Sequence, residues 1–229
     1  MRKIDKSTIL SQNYKHSVQK FKKDEHEPYE SKYKRDYYTD MKMSLLYCQK
    51  GLCAYTEQML CEPIFIAENN WDNEKYKNLE RLEKDKIQGD IDHFNKSLKS
   101  KNAFLWDNLF VVATHVNCRI KGRQEIIEGI LKPDSNDYDP YKCLSWIKDD
   151  TNKDMDIYIF SPNKNLSIDK QKKIQKMIDI LGLNCIDSLR QRQLNEWSDR
   201  YEMGFEVKPH QYITAWNMTL TQLQVANKQ

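Results

Sequence analysis

Residues 109–113, with the sequence Leu-Phe-Val-Val-Ala, form the strongest strand pattern in the chain. β-Branched and aromatic residues favour extended backbone because they pack well on a pleated sheet. This run leads directly into a polar segment, residues 114–122, whose end is typical of a short helix. Glycine occurs only six times in 229 residues, and residues that favour helices are abundant. We therefore predict an α+β fold that is mostly helical, with a few short strands.

Other parts of the chain also predict short elements. Residues 89–94 are strand-like, and residues 158–160 predict a second strand before a Ser-Pro-Asn turn. Ser167 is the predicted N-cap, and Gly182 the predicted stop, of a helix with apolar residues at helical spacing. The remaining predictions are one or two basic helices over residues 13–50 with a break at Pro28, an exposed helix or hairpin excursion over residues 72–88, and helices over residues 184–203 and 210–226.

Composition argues against several classes of protein. The mean hydropathy is -0.87, and no apolar run approaches the about 20 residues that a membrane helix requires. The N-terminal sequence MRKIDKS lacks the apolar segment of a signal peptide, so we expect a cytoplasmic protein with reduced cysteines and no membrane attachment. Residues 1–50 hold twelve Lys or Arg against seven Asp or Glu, an excess that fits either a polyanionic partner or a solvated helix face.

Three short segments carry side chains that suit one kind of chemistry. They are Asp92-His93, Asn108 directly before the apolar strand, and the polar residues 114–122. Metal-dependent cleavage of a phosphodiester needs a base that takes a proton from water, and imidazole has a suitable unperturbed pKa of about 6.5. A hard cation, held by carboxylate or amide oxygens, neutralises the phosphate and the leaving oxygen. A side-chain amide or a backbone carbonyl holds the imidazole in one tautomer.

The order of these segments resembles that of an HNH endonuclease, whose core is the ββα-metal fold. Five further segments resemble the HNH nuclease subunit of Septu-type and retron-associated bacterial anti-phage defence systems: MRKIDKS, LCAYTEQ, WDNLFV, Lys132-Pro133 and IDILGLN. The resemblance covers most of the chain, to about residue 195. It implies a basic helical segment over residues 1–50, an HNH core over residues 51–132, and a C-terminal helical region over residues 133–229 that suits partner docking.

The resemblance also implies a role for each matching residue. His93 is the expected general base, and Asn108 is expected to orient His93 by a hydrogen bond. Asp92 is the expected metal ligand, and Asn117, nine positions after Asn108, is the expected second ligand. The expected cofactor is Mg²⁺ or another divalent cation such as Mn²⁺.

Strand geometry leaves the first ligand open. Neighbouring side chains of a regular strand point to opposite faces, so Asp92 and His93 can serve one site only where the strand ends and its twist breaks down. If the strand stays regular, Asp90 becomes the candidate ligand, because it shares a face with Asp92.

The second ligand is open as well, because the segment from Asn117 to Lys121 is one residue longer than the family's Asn-x-x-Lys-Gly pattern. Counting back from Lys121 gives Cys118 as the ligand, although a thiol binds magnesium poorly, and His115 is a third candidate. Lys121 and Arg123 are expected either to contact phosphates or to compensate the C-terminal end of a helix.

Many HNH proteins bind a structural zinc ion through two Cys-x-x-Cys pairs. In this chain the first pair is reduced to Cys53, and residues 113–117 contain no cysteine in place of the second pair. A single thiolate cannot build the tetrahedral sulfur site of a structural zinc. We therefore expect no structural zinc and expect packing to hold the hairpin.

These patterns favour a metal-dependent nuclease that cleaves DNA. The resemblance implies an ABC-type ATPase partner and restraint of the nuclease until phage infection. The alternative is a catalytically degenerate HNH subunit that binds nucleic acid or protein, which the missing zinc thiols and the shifted helix pattern favour. An RNA nuclease is a further alternative, because the residues at the phosphate do not discriminate DNA from RNA.

Overall fold

The computed structural model of the protein describes residues 1–22, 25–26, 28–72, 75–151 and 156–226. The fold is α+β, and within these residues the strands form two separate two-stranded antiparallel sheets. The chain divides into two compact units. The N-terminal unit comprises Ile4–Ala54 and Gln58–Glu128, and the C-terminal unit comprises Met1–Lys3, Tyr55–Glu57 and Gly129–Gln229. The N-terminal unit thus holds most of both the basic segment predicted over residues 1–50 and the core predicted over residues 51–132.

Among its described residues, the N-terminal unit contains four α-helices, two strands, three 3-10 helices and one π-helix. The α-helices are α1 (Gln12–Phe21), α2 (Lys32–Cys48), α3 (Pro63–Ile66) and α4 (Arg81–Lys84). The strands are β1 (Asp90–His93) and β2 (Leu109–Val112). The 3-10 helices are Glu68–Asn70, Lys96–Ser100 and Trp106–Asn108, and a π-helix spans Val116–Lys121.

The two basic helices predicted over residues 13–50 are confirmed as α1 and α2. The side chain of Ser11 accepts a hydrogen bond from Tyr14 N and so satisfies one of the free amides at the start of α1. Pro28 lies between the two helices, as predicted. An exposed helix or a hairpin excursion was predicted over residues 72–88, of which residues 73 and 74 lie outside the described part. The described residues contain the short helix α4, and Tyr76 forms an isolated antiparallel bridge with Trp71.

Strands β1 and β2 form an antiparallel hairpin in the register Asp90↔Val112 to His93↔Leu109. All four residues of β2 are buried, as their apolar and β-branched side chains predict. The backbone of β2 is also satisfied on its other edge, because the side chain of Gln49 donates to Val111 O at 2.7 Å and accepts from Val111 N at 2.8 Å. The end of α2 therefore closes the sheet edge that β1 leaves open.

Lys6 fixes the entry to β2. Its buried ammonium donates to Trp106 O at 2.5 Å and to Leu109 O at 2.9 Å, and it lies 4.2 Å from the centroid of the Phe110 ring. A buried ammonium needs such oxygens and ring faces to replace its lost hydration. These contacts hold the Trp106–Asn108 turn against the start of the strand.

The C-terminal unit extends the prediction of a helical region with one strand over residues 133–229, because the described residues form a second hairpin there. Its strands are β3 (Leu144–Lys148) and β4 (Tyr158–Pro162), of which only residues 158–160 were predicted. Its helices are α5 (Pro140–Cys143), α6 (Ile168–Leu181), α7 (Asp187–Glu202) and α8 (Ile213–Ala226). The caps predicted for α6 are confirmed: Ser167 accepts from Lys170 N at 3.4 Å, and Gly182 has a φ of 64°.

Glu57 is a buried charge of the C-terminal unit. Its carboxylate accepts hydrogen bonds from Thr214 N at 2.8 Å and Thr214 Oγ1 at 2.5 Å, and it lies 3.0 Å from the amino nitrogen of Met1. Glu57 therefore has a structural role.

Among the described residues, no helix combines the length and apolar character that crossing a membrane requires.

Candidate functional site

The candidate residues lie on a hairpin followed by a short helix. Asp90, Asp92 and His93 are on β1, and Asn108 ends the turn that leads into β2. The π-helix Val116–Lys121 follows β2 after three residues. The order strand, strand, helix therefore matches the order in which the sequence presents these side chains.

His93 has a fixed tautomer. Its Nε2 lies 2.8 Å from the backbone oxygen of Ala103, and because a carbonyl only accepts, Nε2 carries the hydrogen. Nδ1 is then the nitrogen with the lone pair. The imidazole is 4% exposed, and the ring of Tyr29 meets it edge-on with 4.7 Å between centroids. Burial lowers the pKa of His93 from 6.5 to about 4, so the imidazole is neutral at pH 7 and chemically able to accept a proton.

Asn108 has a different partner from the one expected. Its Oδ1 accepts a hydrogen bond from Asn95 N at 2.7 Å, and its Nδ2 donates to Asn95 O at 3.0 Å. The residue that orients His93 is instead Ala103, through its backbone oxygen. Since the chain leaves β1 directly after His93, the two bonds to Asn95 fix the path of the backbone beside the imidazole. The side chain of Asn108 thus fixes the backbone that follows His93, through its hydrogen bonds to Asn95.

Asp92 is paired with a buried ammonium. Its side chain is 1% exposed, and Oδ2 lies 2.6 Å from Nζ of Lys121, which is fully buried. The same ammonium donates to His93 O at 2.5 Å. Burial lowers the pKa of Lys121, and the carboxylate of Asp92 opposes that effect. Lys121 therefore points inward as the counter-ion of Asp92, and the expectation that it contacts phosphates is wrong for this arrangement.

Asp92 and His93 are the last two residues of β1, so the pair lies where the strand ends. The ladder continues in register to the pair His93↔Leu109. The two side chains accordingly have different partners, Lys121 for Asp92 and Ala103 for His93. Asp90, the alternative ligand, accepts a hydrogen bond from Thr114 Oγ1 at 2.6 Å.

The helix candidates have little burial. His115 and Cys118 are exposed, and Asn117 is half-buried. Asn117 accepts a backbone bond from Gly122 N at 3.1 Å, five residues further on, which is the spacing of a π-helix. The wide turn that starts at Asn117 includes Lys121, whose ammonium contacts Asp92.

The donor set does not fit a divalent cation in this arrangement. Asp92 and Asn117 offer oxygen, which Mg²⁺ prefers, but one oxygen of Asp92 already contacts the ammonium of Lys121. In the described part of the chain, no three His, Cys, Asp or Glu side chains are grouped to hold a metal ion. Cys53, the remnant of the zinc pattern, is buried and accepts a hydrogen bond from Ala113 N at 3.4 Å.

Several residues near the site were not predicted. The 3-10 helix after β1 carries Lys96 and Lys99, which lie on one side because residues three apart eclipse in such a helix. Lys96 and the exposed Arg123 line a cavity of about 520 Å³. The Lys-x-x-Lys spacing is visible in the sequence, whereas the positions of Ala103 and Tyr29 follow only from the tertiary fold.

Comparison with known proteins identifies no family for this chain, since no family model and no curated protein matches it.

Proposed function

We propose that this protein is an HNH-type endonuclease that hydrolyses DNA phosphodiester bonds, with His93 as the general base. The observation that carries the proposal is the hydrogen bond between His93 Nε2 and Ala103 O, at 2.8 Å. It leaves the lone pair of Nδ1 to take a proton from the attacking water, at the end of a hairpin that leads into a helix. This proposal includes a ββα-metal core in the N-terminal unit.

The electrostatics of His93 set a condition on catalysis. A base with a pKa of about 4 accepts a proton weakly at pH 7, because general bases act best when their pKa is near the working pH. Displacement of the Tyr29 ring, with entry of water and phosphate, reduces the burial that lowers this pKa. The carbonyl of Ala103 and the carboxylate of Asp92 then favour the imidazolium that forms. The closed imidazole thus becomes a better base when substrate enters.

The cations beside the site suit a polyanionic substrate. The charge of Lys99 adds to burial in lowering the pKa of His93, and that of Lys96 adds to burial in lowering the pKa of Lys121. Lys96 and Lys99 therefore act on the site electrostatically from the 3-10 helix. Together with the exposed Arg123, they give the substrate's phosphates several ammonium and guanidinium partners. We assign the phosphate contacts to these three residues.

The resemblance supports three further parts of the proposal. The divalent cation, Mg²⁺ or Mn²⁺, is one, and its binding at Asp92 requires Lys121 to move. An ABC-type ATPase partner, docked by the C-terminal unit, is the second. The third is restraint of the nuclease in the cytoplasm until phage infection. RNA remains the alternative substrate, because the phosphate chemistry is the same.

Cleavage of supercoiled plasmid, with single-stranded DNA and RNA as parallel substrates, tests the proposal. We expect nicking in the presence of Mg²⁺ or Mn²⁺, in the isolated chain or with the ATPase partner, and its loss in His93→Ala. His16→Ala is the matched control, because His16 is exposed on α1 and lies outside the candidate site. Circular dichroism checks that both variants are folded. Cleavage that survives His93→Ala contradicts the assignment.

A second function is favoured by one observation, namely that both candidate groups are closed off. His93 is 4% exposed, and Asp92 is neutralised by Lys121. In a catalytically degenerate HNH subunit that binds nucleic acid or protein, His93 stays buried and Asp92 stays paired with Lys121 under all conditions. Nucleic-acid binding without cleavage, under every metal and partner condition, supports this second function over the nuclease.

A further inference from the structure

Lys121 is the least exposed cation of the candidate site. Its Nζ lies 2.6 Å from Asp92 Oδ2 and 2.5 Å from His93 O, and its side chain has no exposed surface. An ammonium is removed from water in this way only when oxygens replace its hydration and an opposite charge lies close. Asp92 supplies that charge from a side chain that is itself buried.

The position of this ammonium matters for metal binding. A Mg²⁺ ion binds its oxygen ligands at about 2.0–2.1 Å and demands near-octahedral geometry. A dication on Asp92 Oδ2 and the ammonium of Lys121 cannot both contact the oxygen in the present geometry without strong repulsion in a buried setting. Asp92 therefore holds one of the two cations at a time.

We propose that the Asp92–Lys121 ion pair excludes divalent cations from Asp92 and that a metal binds there only after Lys121 Nζ has left the carboxylate. Lys121 acts as a built-in competitor for the metal position. The inference rests on the proposed function only in treating Asp92 as the metal ligand, and its test measures metal binding, not cleavage.

The π-helix explains how Lys121 reaches this position. The helix holds one residue more between Asn117 and Lys121 than the related pattern, and its wide turn is closed by the bond from Gly122 N to Asn117 O at 3.1 Å. Single π-turns are rare and occur often at functional sites. The position of Lys121 relative to β1 therefore depends on this turn.

Binding of Mn²⁺ to the full chain, followed by electron paramagnetic resonance of the free ion, tests the proposal. We expect wild type to bind weakly and Asp92→Asn to bind no differently from wild type. Lys121→Met keeps the length of the side chain but removes the charge, and we expect it to bind at least about tenfold more tightly. The double variant Lys121→Met/Asp92→Asn is expected to lose this gain. Lys84→Met is the matched control, since Lys84 is exposed on α4.

Two results overturn the proposal. One is a folded Lys121→Met variant that binds Mn²⁺ no more tightly than wild type. The other is selective broadening of the β1 amide resonances by Mn²⁺ at low concentration in wild type that disappears in Asp92→Asn, because it shows that the metal reaches Asp92 despite Lys121 and is not held by Asp90 alone. A chain that never cleaves nucleic acid leaves both measurements intact, so failure of the nuclease proposal and failure of this one are distinguishable.

Discussion

Acidification destabilises a folded protein that keeps an imidazole buried and neutral, and His93 makes this loss of stability measurable. Burial lowers the pKa of His93 from 6.5 to about 4, so between these values the unfolded chain binds a proton that the folded protein does not. The free energy of unfolding therefore falls as the pH drops through this window. At about 1.4 kcal/mol per pKa unit, this contribution is about 3 kcal/mol. It is fully present above pH 6.5 and fully lost below about pH 4.

Urea unfolding at several pH values between 7 and about 4 measures this loss. Other groups also titrate in this range, so the informative quantity is the difference between wild type and His93→Gln, which lacks the titrating imidazole. We expect wild type to lose about 3 kcal/mol more than His93→Gln over the window. Equal losses, or an NMR titration of His93 with a midpoint near 6.5, would refute the burial argument.

Tyr29 provides a matched pair of variants for the same measurement. Its ring lies 4.7 Å from the imidazole, between centroids, and is itself 7% exposed. Tyr29→Ala admits water to the imidazole, so we expect the pKa of His93 to rise from about 4 towards 6.5. Tyr29→Phe keeps the ring, and we expect it to leave the pKa near the wild-type value. A Tyr29→Ala variant with an unchanged pKa shows that other residues keep water from His93.

Three further predictions concern stability, measured by urea unfolding at pH 7. Gly51→Ala is expected to cost more than about 2 kcal/mol, because an added Cβ lies 2.3 Å from Cys61 O at a φ of 74°. Gly129→Ala, at the same φ with no atom within 4 Å, is expected to cost only about 1 kcal/mol, and equal costs contradict the steric argument. Asn108→Ala removes two hydrogen bonds beside the site and is expected to cost about 1–3 kcal/mol, so an unchanged midpoint contradicts its positioning role. Gln49→Ala opens the edge of β2 and is expected to cost about 2 kcal/mol, whereas neutrality means that water replaces the amide.

Local sequence patterns predicted several elements because short-range forces decide them. The apolar and β-branched run of β2 needs no distant partner to favour extended backbone. Ser167 and Gly182 end α6 through contacts within a few residues. Pro28 lies between the two N-terminal helices, where a residue without an amide hydrogen removes no helical hydrogen bond.

The second hairpin contains a strand, β3, that local sequence patterns did not predict. Strand β3 alternates buried and partly exposed residues, yet its five residues follow directly on the short helix α5. A run of five residues does not by itself distinguish a strand from a helix, and pairing with β4 decides the conformation of β3. The strand is thus stabilised by a partner that lies beyond the range of local patterns.

Sequence order alone placed Asp92 and His93 at the end of one predicted strand and Asn108 directly before the next, and the structure has this order in one hairpin. The chemical state of these groups depends on contacts between distant residues. Lys121 lies 29 positions from Asp92, and Ala103 orients His93 through a backbone oxygen that every residue type possesses. No pattern of residue types encodes such a contact, because burial and distance in the folded chain select the partner. The sequence therefore identifies the candidate residues. The packing around them determines whether their side chains are charged, how they are oriented and whether a ligand can reach them.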